Sequence, residues 1–137
     1  MSDAPPYRVL IVDDEPNIRT TLGRALDLEG FAVSSAEDAT SGVAVAERDS
    51  PDLVLLDLRL PDHDGLWVLE RVAAMDPAPP VVMMSGHGTL DAAVKATRLG
   101  AIDFLEKPVQ IDRLLVTIRN ALRLDALGRT VGALSRT

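Results

Sequence analysis

The segment Leu53-Val54-Leu55-Leu56-Asp57 decides the fold of this chain, because its four apolar residues stop abruptly at a carboxylate. Pro51-Asp52 precedes the segment, and Arg59-Leu60-Pro61 follows it. A short apolar run bounded by turn-forming residues is typical of a buried strand. A charge is expected at the end of such a strand, where water or an ion reaches it.

Three other apolar runs also deliver a polar group at their end. The run over residues 8–12 leads into Asp13-Asp14, the run over 80–84 leads into Ser85, and the run over 101–105 leads into Glu106-Lys107. A short strand is also predicted over residues 31–34. Together with the strand that ends at Asp57, these segments give five predicted strands.

Segments with helical spacing of apolar residues separate and follow the strands. The first begins near Asp14-Glu15-Pro16 and stops at Gly30, and the second spans 36–48. Five inward faces are predicted: Ile18, Leu22, Ala25 and Leu26; Ala39, Val43 and Ala46; Leu66, Leu69, Val72 and Ala73; Leu90, Ala93, Val94 and Thr97; Ile111, Leu114, Leu115, Ile118 and Leu122.

This alternation predicts an α/β fold with a parallel sheet and helices on both faces. Right-handed crossovers leave few topologies for such a sheet. Ligands of these folds bind beyond the carboxyl ends of the strands. We therefore expect Asp13, Asp57, Ser85 and Lys107 to converge at one edge of the sheet.

Composition narrows the class of protein. The 137 residues include 47% hydrophobic residues, only 3% aromatic residues and no Cys, which fits one domain with an aliphatic core and no disulfide. The net charge of -7 argues against nucleic-acid binding by phosphate neutralisation in this segment. No apolar run of 18 residues and no signal segment occur, so a cytoplasmic protein without membrane contact is expected.

The two ends of the chain are expected to lie outside the domain. Residues 1–7 are predicted to form a disordered lead. The 3-4-3 spacing of Leu124, Leu127, Val131 and Leu134 is that of a coiled-coil seam. We interpret 124–137 as a linker segment, and a frayed tail is the alternative.

The polar groups at the strand ends together suit the chemistry of phosphoryl transfer. Carboxylates at Asp13, Asp14 and Asp57 would repel each other, and a hard divalent cation such as Mg²⁺ relieves that repulsion. Lys107 supplies a positive charge and Ser85 a hydroxyl donor. These are the parts needed to form and hold an acyl phosphate on Asp57. Taken singly, each group is equally explained as a helix cap or a solvated turn residue.

Five motifs carry a resemblance to a known family: Val12-Asp13-Asp14-Glu15-Pro16, Leu55-Leu56-Asp57-Leu58-Arg59-Leu60-Pro61, Asp64-Gly65, Met84-Ser85-Gly86-His87-Gly88 and Phe104-Leu105-Glu106-Lys107-Pro108. Over residues 8–123 the sequence resembles the receiver domain of two-component response regulators. It is most similar to the nitrogen-regulation type, which often precedes a sigma-54 activator ATPase. The resemblance implies a flavodoxin-like doubly wound sheet of order 2-1-3-4-5.

The resemblance also implies a role for each site residue. Asp57 would accept a phosphoryl group from a sensor histidine kinase, with Lys107 pairing with that group through a loop whose Lys107–Pro108 bond is cis. Asp14, Asp57 and the backbone carbonyl of Arg59 would ligate Mg²⁺, and Asp13 would act through water. Ser85 and Phe104 would form the switch, which alters the face of the fourth helix, fifth strand and fifth helix.

The resemblance further implies that Arg59 and His87, two positions after Asp57 and Ser85, flank the phosphoryl group and tune dephosphorylation. Two departures from the family pattern stand nearby. His63 occupies a loop position where Met is common. Trp67, the only Trp, is either an exposed contact residue or partly buried under the preceding loop.

The expected function is a phosphoacceptor switch, not an enzyme, that controls an output domain in transcription. The partners would be the kinase and the chain's own ATPase or helix-turn-helix domain, with homodimerisation through the fourth and fifth helices or the tail. A Mg²⁺-dependent aspartyl-phosphate phosphatase is the enzyme alternative, although Leu58-Arg59 leaves no acid two residues after Asp57. A stand-alone receiver acting by protein–protein interaction is the other alternative.

Overall fold

The structure, a computed structural model, describes residues 6–86 and 89–135, with side chains described as far as Leu127. Five strands alternate with five helices along the chain. In order, they are β1 (Arg8–Val12), α1 (Pro16–Leu28), β2 (Ala32–Ala36), α2 (Ala39–Asp49), β3 (Leu53–Asp57), α3 (Gly65–Ala73), β4 (Val81–Ser85), α4 (Leu90–Arg98), β5 (Asp103–Glu106) and α5 (Ile111–Ser135).

All strand pairs are parallel and form one sheet in the order β2-β1-β3-β4-β5. The predicted α/β fold and strand order are therefore confirmed. The strand order reverses between β1 and β3, which lie side by side with Val12 opposite Leu56. The residues that follow β1 and β3 are consequently neighbours.

Strand residues alternate between two apolar layers, because successive side chains point to opposite faces of a sheet. Ile11 and Leu55 contribute to the layer covered by α1 and α5, whereas Leu10 and Leu56 contribute to the layer covered by α2, α3 and α4. Both faces of β3 are buried over its full length. This explains why its sequence is continuously apolar and not alternating.

Three predicted boundaries were wrong by two or three residues. β2 spans Ala32–Ala36 where 31–34 was predicted, and β5 begins at Asp103. α2 begins at Ala39 because Asp38 caps it, with its carboxylate accepting a hydrogen bond from the Ser41 N–H at 2.8 Å. A capping residue has extended backbone and so ends the preceding segment.

The inward face predicted for α4 was also wrong. Leu90 is 80% exposed and Val94 is 41% exposed, whereas Ala96 is fully buried. The hydroxyl of the exposed Thr97 donates to the Ala93 carbonyl of its own helix at 2.9 Å. Burying the small Ala96 brings the helix backbone near the sheet, and this rotation leaves larger apolar residues in solvent.

The other predicted faces need smaller corrections. In α3, Leu69 and Val72 are buried as predicted, but Ala73 is exposed and Val68 takes its place inside. In α1, Leu22 and Leu26 are buried, and Ile18 packs partly against the same core. Gly30 ends this segment with φ of 91°, a conformation that favours glycine.

α5 buries its predicted face and then continues past the core. Leu114, Leu115, Ile118 and Leu122 are buried, whereas Leu124 and Leu127 are exposed. The helix runs on to Ser135, so the proposed linker is helical up to there, and its role as a linker remains a prediction. The side chains of Val131 and Leu134, and the residues Met1–Pro5 of the predicted lead, lie outside the described part of the chain.

Trp67 is partly buried, which confirms the second of the two alternatives for this residue. Its indole stacks on the His63 ring at 3.8 Å, and the Arg71 guanidinium lies 3.7 Å from the indole centre. The stack joins the loop after β3 to α3. Within the described residues, no helix is long and apolar enough to cross a membrane.

Gly65 brings the start of α3 directly against the end of β3. Its N–H donates to the Leu58 carbonyl at 2.6 Å. A Cβ at this position would collide with the Asp57 carbonyl oxygen and would lie 2.9 Å from Leu58 Cα. Only glycine fits this approach without a shift of backbone, which closes the loop over residues 58–64 beside Asp57.

Candidate functional site

The four polar residues predicted to converge lie at one edge of the sheet. Asp13 follows β1, Asp57 and Ser85 end β3 and β4, and Lys107 follows β5. Asp13, Asp57 and Ser85 are buried. The strands therefore carry three polar groups into a region that is largely closed to water.

Lys107 links the carboxylates of this edge. Its ammonium nitrogen lies 2.7 Å from Asp13 Oδ2, 3.3 Å from Asp57 Oδ2 and 3.6 Å from Glu15 Oε1. The Lys107 N–H donates to the Ser85 carbonyl at 2.9 Å, which fixes the backbone from which the side chain extends. The Lys107–Pro108 peptide is cis, as the resemblance implied.

Asp13 is held from several sides. Its Oδ1 accepts a hydrogen bond from the Glu15 N–H at 2.9 Å, and its own N–H donates to the Ala36 carbonyl. The Arg19 guanidinium donates to the Asp13 carbonyl at 2.7 Å. Arg19 could not be predicted from the sequence, because an Arg in the first turns of a helix is ordinarily solvated.

The environment of Asp57 opposes its ionisation. Burial raises the pKa of the Asp57 carboxyl, and the negative charge of Asp13 raises it further, against an opposing effect of Lys107. The Arg59 N–H donates to Asp57 Oδ1 at a long distance of 3.4 Å. Asp57 is thus a carboxylate whose charged form is disfavoured by its surroundings, which favours its use as a nucleophile.

Lys107 remains positively charged in this site. Burial by itself would lower the pKa of Lys107, but the hydrogen bond and charge of Asp13, with the charge of Asp57, outweigh burial and raise that pKa. A fixed positive charge beside Asp57 is suited to neutralising phosphoryl oxygens.

The carboxylates also fit a magnesium ion. Asp13, Asp14 and Asp57 each offer an oxygen, and these oxygens lie within 4.8 Å of one another. Asp13 Oδ2 is buried, and the Lys107 ammonium lies 2.7 Å from it. A small set of carboxylate ligands, with Asp14 exposed so that water can complete the shell, is the arrangement that Mg²⁺ prefers.

The remaining predicted residues surround this centre. Ser85 is buried at the end of β4, and Phe104 on the neighbouring β5 packs partly against the core layer on the α4 side. Arg59 is exposed beside Asp57. His87 lies outside the described residues.

One residue near the site was not singled out from the sequence. Asp62, in the loop after Asp57, accepts hydrogen bonds from the N–H groups of Ala39 and Thr40 at 2.8 and 2.9 Å. The Thr40 hydroxyl donates to it at 2.6 Å. The hydrogen bond from the Thr40 hydroxyl and, to a smaller extent, those from these N–H groups hold the pKa of Asp62 well below its usual range.

Comparison with known proteins matches this chain to the family that its sequence motifs resemble. Residues 9–119 match the family model described as "Response regulator receiver domain". The nitrogen assimilation regulatory protein NtrX of Azorhizobium caulinodans is 41% identical over 132 residues, which are 95% of this chain and 29% of that protein. The C4-dicarboxylate transport transcriptional regulatory protein DctD of Pseudomonas aeruginosa is 40% identical over 120 residues, 88% of this chain and 26% of that protein.

Solved structures of receiver domains superpose closely on this chain. The receiver domain of NtrX from Brucella abortus superposes with a TM-score of 0.78 at 43% identity, covering 84% of this chain and 98% of that one. A CheY-like receiver domain protein from Methanospirillum hungatei gives a TM-score of 0.87 at 32% identity, covering 90% and 98%. The chain spans less than a third of the length of the two curated relatives above. The predicted likeness to the nitrogen-regulation type is confirmed by the NtrX matches.

Asp57→Asn is expected to stabilise the protein in magnesium-free buffer at pH 7, by about 3–5 °C in Tm, as ~1 kcal/mol does in a domain of this size. The pKa of Asp57 is raised in the folded state, so the unfolded state loses this proton first as pH rises. The ionised carboxylate therefore costs stability above its folded pKa, and the gain should vanish below the usual Asp pKa of about 3.9.

Thermal unfolding followed by circular dichroism at a series of pH values measures this difference. Asp27→Asn is the control, since it removes one charge from an exposed helix position. It should change stability by no more than about 0.5 kcal/mol. An Asp57→Asn protein whose Tm at pH 7 is equal to or below that of the wild type would contradict the assigned environment.

Proposed function

We infer the function of this chain from the fact that it belongs to the response regulator receiver domain family. The domain is a phosphorylation-controlled switch in which Asp57 accepts a phosphoryl group. The observation that carries this proposal is the single ammonium of Lys107 lying between two buried carboxylates, Asp13 and Asp57. Such a site holds a nucleophile and an anion-binding charge within a few ångströms.

Each site residue has a step in the transfer. An Asp57 carboxylate oxygen attacks the phosphorus of a phosphohistidine on a sensor histidine kinase, the P–N bond breaks, and the bond's electron pair returns to the imidazole, which leaves as a neutral ring because its other nitrogen already carries a proton. Asp14, Asp57 and the Arg59 backbone carbonyl would hold Mg²⁺, with Asp13 acting through water. When bound, that ion neutralises and orients the phosphoryl oxygens. Lys107 pairs with a phosphoryl oxygen in the product.

Signal output then depends on Ser85 and Phe104. The Ser85 hydroxyl moves to the phosphoryl oxygens, and Phe104 rotates into the space that this movement vacates. Phe104 is only partly buried and lies on the same core layer as α4, which supports such a rotation. The changed surface is that of α4, β5 and α5. A preference of a few kcal/mol is enough to shift this equilibrium.

Arg59 and His87 adjust the lifetime of the acyl phosphate by shielding or orienting the water that hydrolyses it. Arg59 is exposed immediately after Asp57, which supports access to that water. The role of His87 rests on its position two residues after Ser85.

The domain acts inside a longer regulator. Its location is the cytoplasm, and its partners are a sensor histidine kinase and the protein's own output domain, an ATPase, a helix-turn-helix domain or both, which acts in transcription. The relatives named as transcriptional and nitrogen assimilation regulators support this placement. The domain itself is a phosphoacceptor and not an enzyme that turns over substrates.

Phe104→Ala and Arg59→Ala should separate the coupling of phosphorylation to α4 from the lifetime of the acyl phosphate. Phe104→Ala should be phosphorylated normally but lose the phosphorylation-dependent change in amide hydrogen exchange of α4. Arg59→Ala should keep that change but alter the acyl-phosphate decay rate by more than roughly twofold. A normal α4 response in the first variant, or an unchanged decay rate in the second, would refute the corresponding role.

The phosphoacceptor role is tested by incubating the protein with a small phosphodonor and Mg²⁺ and measuring its mass. The wild type should gain one phosphoryl group, and both Asp57→Asn and magnesium-free wild type should gain none. A gain that survives Asp57→Asn would refute Asp57 as the acceptor. Steady turnover of soluble phosphate esters would instead favour the phosphatase alternative.

A further inference from the structure

We propose that Asp62 is a positioning residue that fixes the two halves of the magnesium site relative to each other. The proposal rests on the function proposed above and extends it to a residue outside the acceptor cluster. One half of the site, Asp13 and Asp14, follows β1. The other half, Asp57 and the Arg59 carbonyl, belongs to β3 and the loop that follows it.

The loop over residues 58–64 is closed at its base. The Gly65 N–H donates to the Leu58 carbonyl, and Arg59 and Asp64 form an isolated antiparallel bridge. Asp64 also caps α3 by accepting from the Trp67 N–H at 3.0 Å. These contacts join the loop to α3 but leave its tip, which includes Asp62, to be fixed by another element.

Asp62 joins that tip to α2. Both of its carboxylate oxygens are used: Oδ1 accepts from the Ala39 N–H, and Oδ2 accepts from the N–H and hydroxyl of Thr40. These donors are the first two residues of α2, 22 and 23 residues earlier in the chain. The contact therefore joins two segments that share no other hydrogen bond among those given for the described residues.

The first turns of α2 are anchored beside the other half of the site. Ala39 is fully buried, and a Cβ on Gly42 would lie 2.9 Å from Val12 Cγ1. Val12 is the residue immediately before Asp13. The chain of contacts from Asp62 through α2 to Val12 thus runs from the acceptor loop to the residues that begin the metal cluster.

Asp62 is not the N-cap residue of α2, although it accepts from the first two N–H groups of that helix. Asp38 already caps α2, accepting hydrogen bonds from the N–H and the hydroxyl of Ser41. Two carboxylates therefore serve one helix end, and only Asp62 comes from a distant segment. Asp38 offers a matched comparison, since its removal weakens the same helix without releasing the acceptor loop.

The expected consequence concerns magnesium affinity. A released loop lets the Arg59 carbonyl and Asp57 move relative to Asp13 and Asp14, so binding must also order the loop. Removing a residue that orients metal ligands without binding the metal itself typically changes metal affinity by about 10-fold or more. The Thr40 hydroxyl contributes part of the same contact, so its loss should act in the same direction.

The test is magnesium binding by isothermal titration calorimetry on wild type, Asp62→Ala, Asp38→Ala and the pair Thr40→Val and Thr40→Ser. Asp62→Ala should weaken magnesium binding roughly 10-fold, and Asp38→Ala by less than about twofold. Thr40→Val should weaken binding, and Thr40→Ser, which keeps the hydroxyl, should restore it. Phosphorylation rates of Asp62→Ala should fall at limiting Mg²⁺ and recover at saturating Mg²⁺.

Failure of this proposal is distinct from failure of the proposed function. If wild type binds Mg²⁺ and is phosphorylated on Asp57, but Asp62→Ala and Thr40→Val bind Mg²⁺ with wild-type affinity, Asp62 has no positioning role. Equal losses in Asp62→Ala and Asp38→Ala would also overturn it, since helix stability would then explain both. A wild-type protein that is not phosphorylated on Asp57 would instead refute the underlying function.

Discussion

The structure depends on one electrostatic constraint, the burial of Asp13 and Asp57 beside each other with the ammonium of Lys107 between them. Two carboxylates in a region with little water repel each other and lack the solvation that ordinarily stabilises their charge. Lys107, 2.7 Å from Asp13 and 3.3 Å from Asp57, compensates only part of this cost. The pKa of Asp57 remains raised, so the site is prepared for further positive charge.

The fold satisfies this constraint by bringing separate parts of the chain to one edge. Asp13 follows β1, Asp57 ends β3 and Lys107 follows β5, and the parallel arrangement of these strands places the three charged groups at the same edge of the sheet. Local hydrogen bonds then fix each group, as the Ser85 carbonyl does for the Lys107 backbone. Gly65 permits α3 to begin against Asp57, which keeps the loop over residues 58–64 beside Asp57.

The sequence predicted this site because its signals are local. A continuous apolar run that ends at Asp57 and is bounded by turn-forming residues is typical of a strand buried on both faces, and parallel strands deliver their ends to one edge. The face of α4 could not be predicted in the same way. Leu90 and Val94 suggest an inward stripe, but the sheet accepts the smaller Ala96, and that choice depends on the distance between helix and sheet.

Contacts between distant segments were equally inaccessible to sequence. An Asp in a loop, as at Asp62, is common and carries no distinguishing signal in the sequence. Its partners Ala39 and Thr40 are identified only when β1 and β3 are placed side by side. Arg19 is similar, since its contact with the Asp13 carbonyl depends on how α1 leaves β1. Sequence thus predicted which polar groups converge at this edge, and the structure was needed to identify the residues that hold them.

The central claim is that burial and the charge of Asp13 oppose the ionisation of Asp57, and that a bound cation relieves this. A titration of the ¹³C-labelled Asp57 carboxyl carbon by NMR, without and with Mg²⁺, measures this directly. The account predicts a midpoint above the usual Asp value of about 3.9 in magnesium-free protein, and a lower midpoint when Mg²⁺ is present. A magnesium-free midpoint at or below the usual value, or one that Mg²⁺ leaves unchanged, would contradict the account.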